Sequence, residues 1–140
     1  MPFVSITRLR VRTVRYLPNF VASSLRAAWQ ARTGPGNVAV SILADSHCAF
    51  WTRTVWNDEA AMRTFMLSGI HVRIMPRLLD WCDEASLVHW VQESVVPPPW
   101  EEAYRRMLAG GRRSRVRHPS AAHQRFEFPP PSTRAELKLK

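Results

Sequence analysis

Two strand-like segments of this chain carry large apolar side chains on both faces. In residues 48–56, period-2 alternation sets Trp51 and Val55 on one side and Phe50 and Trp56 on the other; in 86–92 it sets Leu87, His89 and Val91 against Val88 and Trp90. Strands of that kind do not fit a sheet with one wet face, so something must cover each side. The rest of the chain has to supply those covers.

Residues 3–12 alternate as a strand, with Thr7, Leu9 and Val11 on one face and Ile6, Arg8, Arg10 and Arg12 on the other. Pro18 is a favourable first helical residue, and Phe20, Val21, Ser24, Leu25, Ala28 and Trp29 recur at helical spacing until Thr33-Gly34-Pro35-Gly36 stops the helix. Residues 38–43 form the next strand, and Asp45-Ser46-His47 turns it into the aromatic strand 48–56, which predicts a hairpin. Asn57 or Asp58 caps a second helix, Gly69 breaks it, and a short helix is expected from Pro76 to Trp81-Cys82. An acidic turn, Asp83-Glu84, leads to the strand 86–92.

The order β-α-β-β-α-β predicts an α+β, ferredoxin-like fold: a four-stranded antiparallel sheet with both helices on one face. That leaves the second face bare, and the expected cover is a second copy, giving a homodimer whose two sheets meet around a cavity. The domain is expected to span residues 1–96. Residues 97–111 would add a docked helix, Trp100 to Ala109, held by Trp100, Tyr104, Met107 and Leu108. Residues 112–140, basic and proline-rich, have too few clustered apolar side chains to offset their ordering entropy and are expected to be disordered.

The net charge of +9 is uneven: residues 1–96 hold 10 Lys+Arg against 7 Asp+Glu, and 97–140 hold 10 against 4. The excess therefore lies in the tail, and without an RNA-binding aromatic signature nucleic acid is not the expected partner. No apolar run approaches the roughly 20 residues of a membrane helix, and no signal-peptide pattern opens the chain, so the cytoplasm is the expected compartment. Cys48 and Cys82 read as reduced, buried thiols. No CxxC or CxxxH spacing points to zinc, and no Walker, nucleophile-elbow or HExxH pattern is present.

Thr7-Arg8-Leu9-Arg10, Phe50-Trp51-Thr52 with Thr54 and Trp56, Ala61-Met62-Arg63 with Phe65, Gly69 and His71 before Met75-Pro76, and Trp81-Cys82-Asp83-Glu84-Ala85-Ser86 ending in His89-Trp90 carry a resemblance. Over about residues 3–93 the chain resembles small bacterial dimeric α+β barrel proteins, similar to spheroidene monooxygenase and, more distantly, to the antibiotic-biosynthesis monooxygenases. The resemblance implies a homodimer with apolar cavities and a monooxygenase-like oxidoreductase acting on a hydrophobic small molecule in secondary metabolism. It leaves haem-dependent and cofactor-free chemistry equally open. A non-catalytic binding or scaffold protein of the same fold is the alternative.

His71, beside Met75 at a helix end or turn, is the first candidate for a catalytic group, because a neutral imidazole can act as a base near pH 7 or ligate haem iron. His89, mid-strand in an apolar setting, is the weaker candidate, set against the reading of a packed core histidine. Trp51, Trp56 and Trp90 are candidate walls of a substrate pocket. Arg8 and Arg53 are candidate anchors for a carboxylate or propionate, set against salt bridges from Arg8 or Arg10 to Asp80, Asp83 or Glu84.

Overall fold

A computed structural model describes residues 1–140. The chain forms β1 (Phe3–Val11), α1 (Leu17–Thr33), β2 (Asn37–Ala44), β3 (Ala49–Trp56), α2 (Glu59–Met66), α3 (Gly69–Trp81), β4 (Cys82–Val91), α4 (Trp100–Gly110), β5 (Arg112–Arg113), α5 (Ala121–Arg125) and β6 (Ala135–Lys138). The antiparallel sheet runs β5-β4-β1-β3-β2-β6. Its middle four strands have the ferredoxin-like order. The sheet has six strands rather than the four expected, because the C-terminal segment adds one short strand to each edge.

Strand register explains the two-sided apolar pattern. Across β1, Val4 faces Val55 and Trp90, and Arg8 faces Trp51 and Ser86, so these residues share one face. On the other face Ser5 lies between Thr54 and His89, and Thr7 between Thr52 and Leu87. This second face packs against α1, α2 and α3, where Trp56, Val40 and Phe3 meet Ala28, Ala31 and Met62, and Val11 and Cys82 meet Phe20, Ile74 and Leu78.

The face carrying Trp51 and Trp90 is covered by the chain itself. Trp100, Ala103 and Met107 of α4 are buried against Val4, Ile6, Val55, Val88, Trp51 and Trp90, with Tyr104, Phe126 and Phe128 packed alongside. Leu108, expected to dock, is exposed instead, and Ala103 takes the inward position. The sheet-to-sheet homodimer was expected on the premise that this face is bare, and that premise is corrected: α4 covers the face.

Residues 112–140, expected to be disordered, form β5, α5 and β6. Their apolar residues are few, yet Val116, Phe126, Phe128 and Leu139 each pack against the core. Phe128 packs edge-on to Trp51 and Tyr104, and the Tyr104 hydroxyl donates to the Phe128 carbonyl at 3.2 Å. Glu136 accepts from Arg53 at 2.9 Å and from the Trp100 indole at 3.0 Å. Removing residues 97–140 strips the apolar cover from one whole sheet face, and exposed apolar surface of that extent drives association. The truncated chain is expected to form dimers or larger particles in light scattering; a monodisperse monomer with an unchanged melting temperature would contradict this.

The short helix expected from Pro76 is longer, beginning at Gly69 and running through Pro76. Ile70, Ile74 and Leu78 recur every four residues and pack into the core. Pro76 lies on the solvent side, where water can satisfy the carbonyl that loses its donor. Asp83-Glu84, expected as a turn, continues β4 directly from the end of α3.

Candidate functional site

Between the sheet and α1–α3 lies a cavity of about 130 Å³. Its floor is sheet: Ser5, Thr7 and Leu9 of β1, Thr52 and Thr54 of β3, and Leu87 and His89 of β4. Its roof is helical, with Met62, Phe65, His71, Ile74 and Leu78 prominent. No Lys, Arg, Asp or Glu lines it.

His71 is positioned from three sides. Gly69 adopts a left-handed backbone (φ +59), and a Cβ there would come to 3.0 Å from the Gln30 amide. That close approach lets Gln30 accept from the His71 backbone N–H at 2.9 Å and donate to the Ser68 carbonyl at 2.9 Å, capping the first turn of α3 from α1. The imidazole Nδ1 sits 3.1 Å from the Met66 carbonyl at the end of α2, and the ring lies 4.7 Å from Phe65. A carbonyl only accepts, so Nδ1 carries the proton and the neutral ring keeps a bare lone pair on Nε2. Burial lowers the His71 pKa, against the opposing pull of the Met66 hydrogen bond. The ring is therefore neutral at pH 7.

His89 also lines the cavity. Its pKa is lowered by burial first and by Arg112 second, so it too is neutral at pH 7. Its ring packs 5.4 Å from Phe3. Along the same row of the sheet stand Ser5 and Thr54, and Thr54 Oγ1 accepts from the Trp56 indole N–H at 2.9 Å. Sequence reading missed this hydroxyl row. The available signal was Ser5, Thr7, Thr52 and Thr54 recurring at period 2 on the helix-covered face, where a sealed core would carry Val or Ile.

The other sequence candidates lie elsewhere. Trp56 stacks on Phe65 at 5.3 Å, one layer behind the cavity wall. Trp51 and Trp90 are on the opposite sheet face; the Trp51 indole donates to Asp45 and the Trp90 indole to Gln92. Arg8 is buried there, 2.7 Å from Glu84, and Arg10 pairs with Asp83 at 2.7 Å, as the salt-bridge reading expected. Arg53 donates to the Pro98 carbonyl at 2.8 Å, to Ser41 and to Glu136, and lies over the Trp100 ring at 4.4 Å. In this structure it ties the C-terminal segment to the sheet. Burial raises the Cys82 thiol to about 12, leaving it protonated and inert.

A family model described as a domain of unknown function, DUF3291, matches residues 20–137. The chain belongs to this family. No curated protein matches it in sequence. Among solved structures, the DUF3291 chain is similar to SnoaB of Streptomyces nogalater, described as a cofactor-independent oxygenase, with TM-score 0.56 at 17% identity over 69% of this chain and 98% of that one. It is likewise similar to an antibiotic biosynthesis monooxygenase, with TM-score 0.59 at 14% identity over 66% and 99%. A Nitrosomonas europaea protein assigned to the same monooxygenases gives TM-score 0.59 at 16% over 65% and 89%. At these identities the likeness shows the fold. It nearly exhausts those chains but leaves about a third of this DUF3291 protein over, roughly the share that residues 97–140 make up.

A haem does not fit this cavity. The volume is below the roughly 300–1,000 Å³ of pockets that enclose drug-sized ligands. The lining also offers no cation to a propionate. No group of three or more His, Cys, Asp or Glu residues is arranged to hold a metal ion, and no helix is long and apolar enough to cross a membrane.

Proposed function

We propose that this protein is a small monooxygenase-like enzyme that oxygenates an apolar small molecule in the cavity between sheet and helices, with His71 as the general base. One observation carries the reading: a neutral imidazole with its Nδ1 proton committed to the Met66 carbonyl leaves a bare Nε2 on a residue that lines a mostly apolar chamber without charged side chains. The named relatives, one of them a cofactor-independent oxygenase, support the direction.

The step assigned to His71 is removal of an activated C–H proton. The resulting carbanion, or its enolate, passes electrons to O2, one oxygen atom ends in the product carbonyl and the other leaves as water. The balance is R–CH2–R′ + O2 → R–CO–R′ + H2O, with the substrate supplying all the electrons. Secondary metabolism is the proposed setting, since such substrates are its usual currency.

The test is oxygen uptake by the purified protein on small substrates with an acidic methylene, with one labelled atom from ¹⁸O2 expected in the product. Tight binding without uptake or label would favour the alternative, a binding protein of the same fold.

A further inference from the structure

The hydroxyl row on the cavity floor is a built feature that the base does not use. Thr54 is 7% exposed, and its Oγ1 accepts the Trp56 indole proton at 2.9 Å. A hydroxyl has one proton to give and two lone pairs. With a lone pair taken by Trp56, and no side-chain or backbone acceptor engaged by its own proton, Thr54 faces the cavity as a donor. Its neighbours across the strands are Ser5 and then His89, whose neutral ring makes no hydrogen bond to the protein. Three polar groups thus stand side by side on the floor, on the wall opposite the helix that carries His71. Buried polar groups are ordinarily satisfied, and a donor left free in a chamber without charged side chains fits an oxygen brought by the ligand.

Charge and size narrow that ligand. No ionised side chain lines the cavity and both of its histidines are neutral, so an anion or cation entering it would be unpaired, at heavy cost. An engineered cavity of about 150 Å³ in another protein holds one benzene ring, and this one is about 130 Å³.

We propose that the cavity binds an uncharged, single-ring ketone whose carbonyl oxygen is received by Thr54, with Ser5 and His89 flanking it. This deepens the oxygenase reading and rests on the same base. His71 Nε2 takes the proton α to the carbonyl, the C–H pair becomes the enolate C=C bond, and the charge gathers on the oxygen facing the Thr54 hydroxyl. Returning the proton to carbon restores the ketone, so this half-reaction needs no oxidant. Trp56 acts as a positioning residue, since its indole fixes which way the Thr54 proton points.

The experiment compares cyclohexanone, methylenecyclohexane and cyclohexanecarboxylate by ligand-observed NMR, and follows exchange of the cyclohexanone α-protons in D2O without oxygen. Cyclohexanone is expected to bind roughly tenfold more tightly than its oxygen-free isostere, the scale of a satisfied hydrogen bond in a buried site. The carboxylate should not bind. Thr54→Val should remove that preference and slow the exchange, leaving methylenecyclohexane binding unchanged, and Ser5→Ala should act in the same direction more weakly. Equal binding of ketone and isostere, binding of the carboxylate, or unaltered exchange in both variants overturns the carbonyl site. Retained selectivity and exchange with no oxygen uptake on any substrate would support the site while removing the oxygenase reading.

Discussion

Replacing His71 with alanine is expected to lower turnover by about 10²- to 10⁴-fold, the usual contribution of a positioned general base. His71→Gln separates chemistry from structure: its amide can still donate to the Met66 carbonyl, but it has no basic nitrogen to offer. Both variants should therefore lose activity, with the glutamine protein melting near the wild type. The pH profile gives a second readout. Burial lowers the folded-state pKa below 6.5, so the base form persists below the pH at which a free histidine is half protonated. The acid limb of kcat/KM is expected to bend below pH 6.5 and to vanish in His71→Gln. The sign for stability follows from the same shift. The unfolded chain binds protons more readily at His71 and His89, so their contribution is intact above about pH 6.5 and is lost as pH falls through the folded pKa values. Activity of His71→Ala within a few-fold of wild type would remove this residue from the mechanism.

Glu84→Gln is expected to be the most damaging single change to stability. Arg8 is 4% and Glu84 7% exposed, and their side chains meet at 2.7 Å beneath the C-terminal segment. The Arg8 guanidinium lies 4.9 Å from the Phe128 ring centroid and 6.0 Å from that of Trp51, with its Nε unpaired. Removing the carboxylate charge leaves a cation among aromatic rings, which costs about 3–5 kcal/mol when one partner of a buried pair is lost. That is a large part of the roughly 5–15 kcal/mol by which a domain is stable. Glu84 also accepts from Ser120 Oγ at 3.3 Å, so the loss should loosen the start of α5 as well. Urea unfolding measures the difference. Arg8→Met combined with Glu84→Leu should recover much of it, because the pair is replaced by apolar volume; a double variant as unstable as Glu84→Gln would refute the account.

Much of the fold was legible from periodicity. The alternation in residues 3–12, 38–43 and 48–56 and the helical recurrence from Phe20 to Trp29 each describe one element, and each formed where the pattern placed it. The Asp58 cap and the Ala44–Ala49 hairpin turn are local chemistry of the same kind: Asp58 accepts from the Ala61 N–H at 2.8 Å. The salt-bridge reading of Arg8 and Arg10 held too, because strand register brings acids early in β4 opposite those positions. Pro76 misled, since a local rule about a missing donor does not register that the donor faces water while Ile74 and Leu78 anchor the helix. The indoles of Trp51 and Trp90 marked a covered face correctly but not its cover.

The sequence by itself determined that this sheet must be enclosed on both sides, because alternating large apolar residues are a property of single strands. It also marked Gly69 as the end of one helix, and α2 gives way to α3 at Gly69. Only the tertiary structure decided that α4 and the segment after it close the second face from within the chain. The helical pattern of α4 was legible but not the face it docks on, and the apolar residues after it are too sparse to form a pattern; both gain burial only when the sheet already presents Trp51, Val55 and Trp90 to receive them. The cavity was assembled the same way: Ser5, Thr54, His71 and His89 lie apart in the chain, and no periodicity links a hydroxyl on one strand to an imidazole on a helix until packing brings them to one chamber.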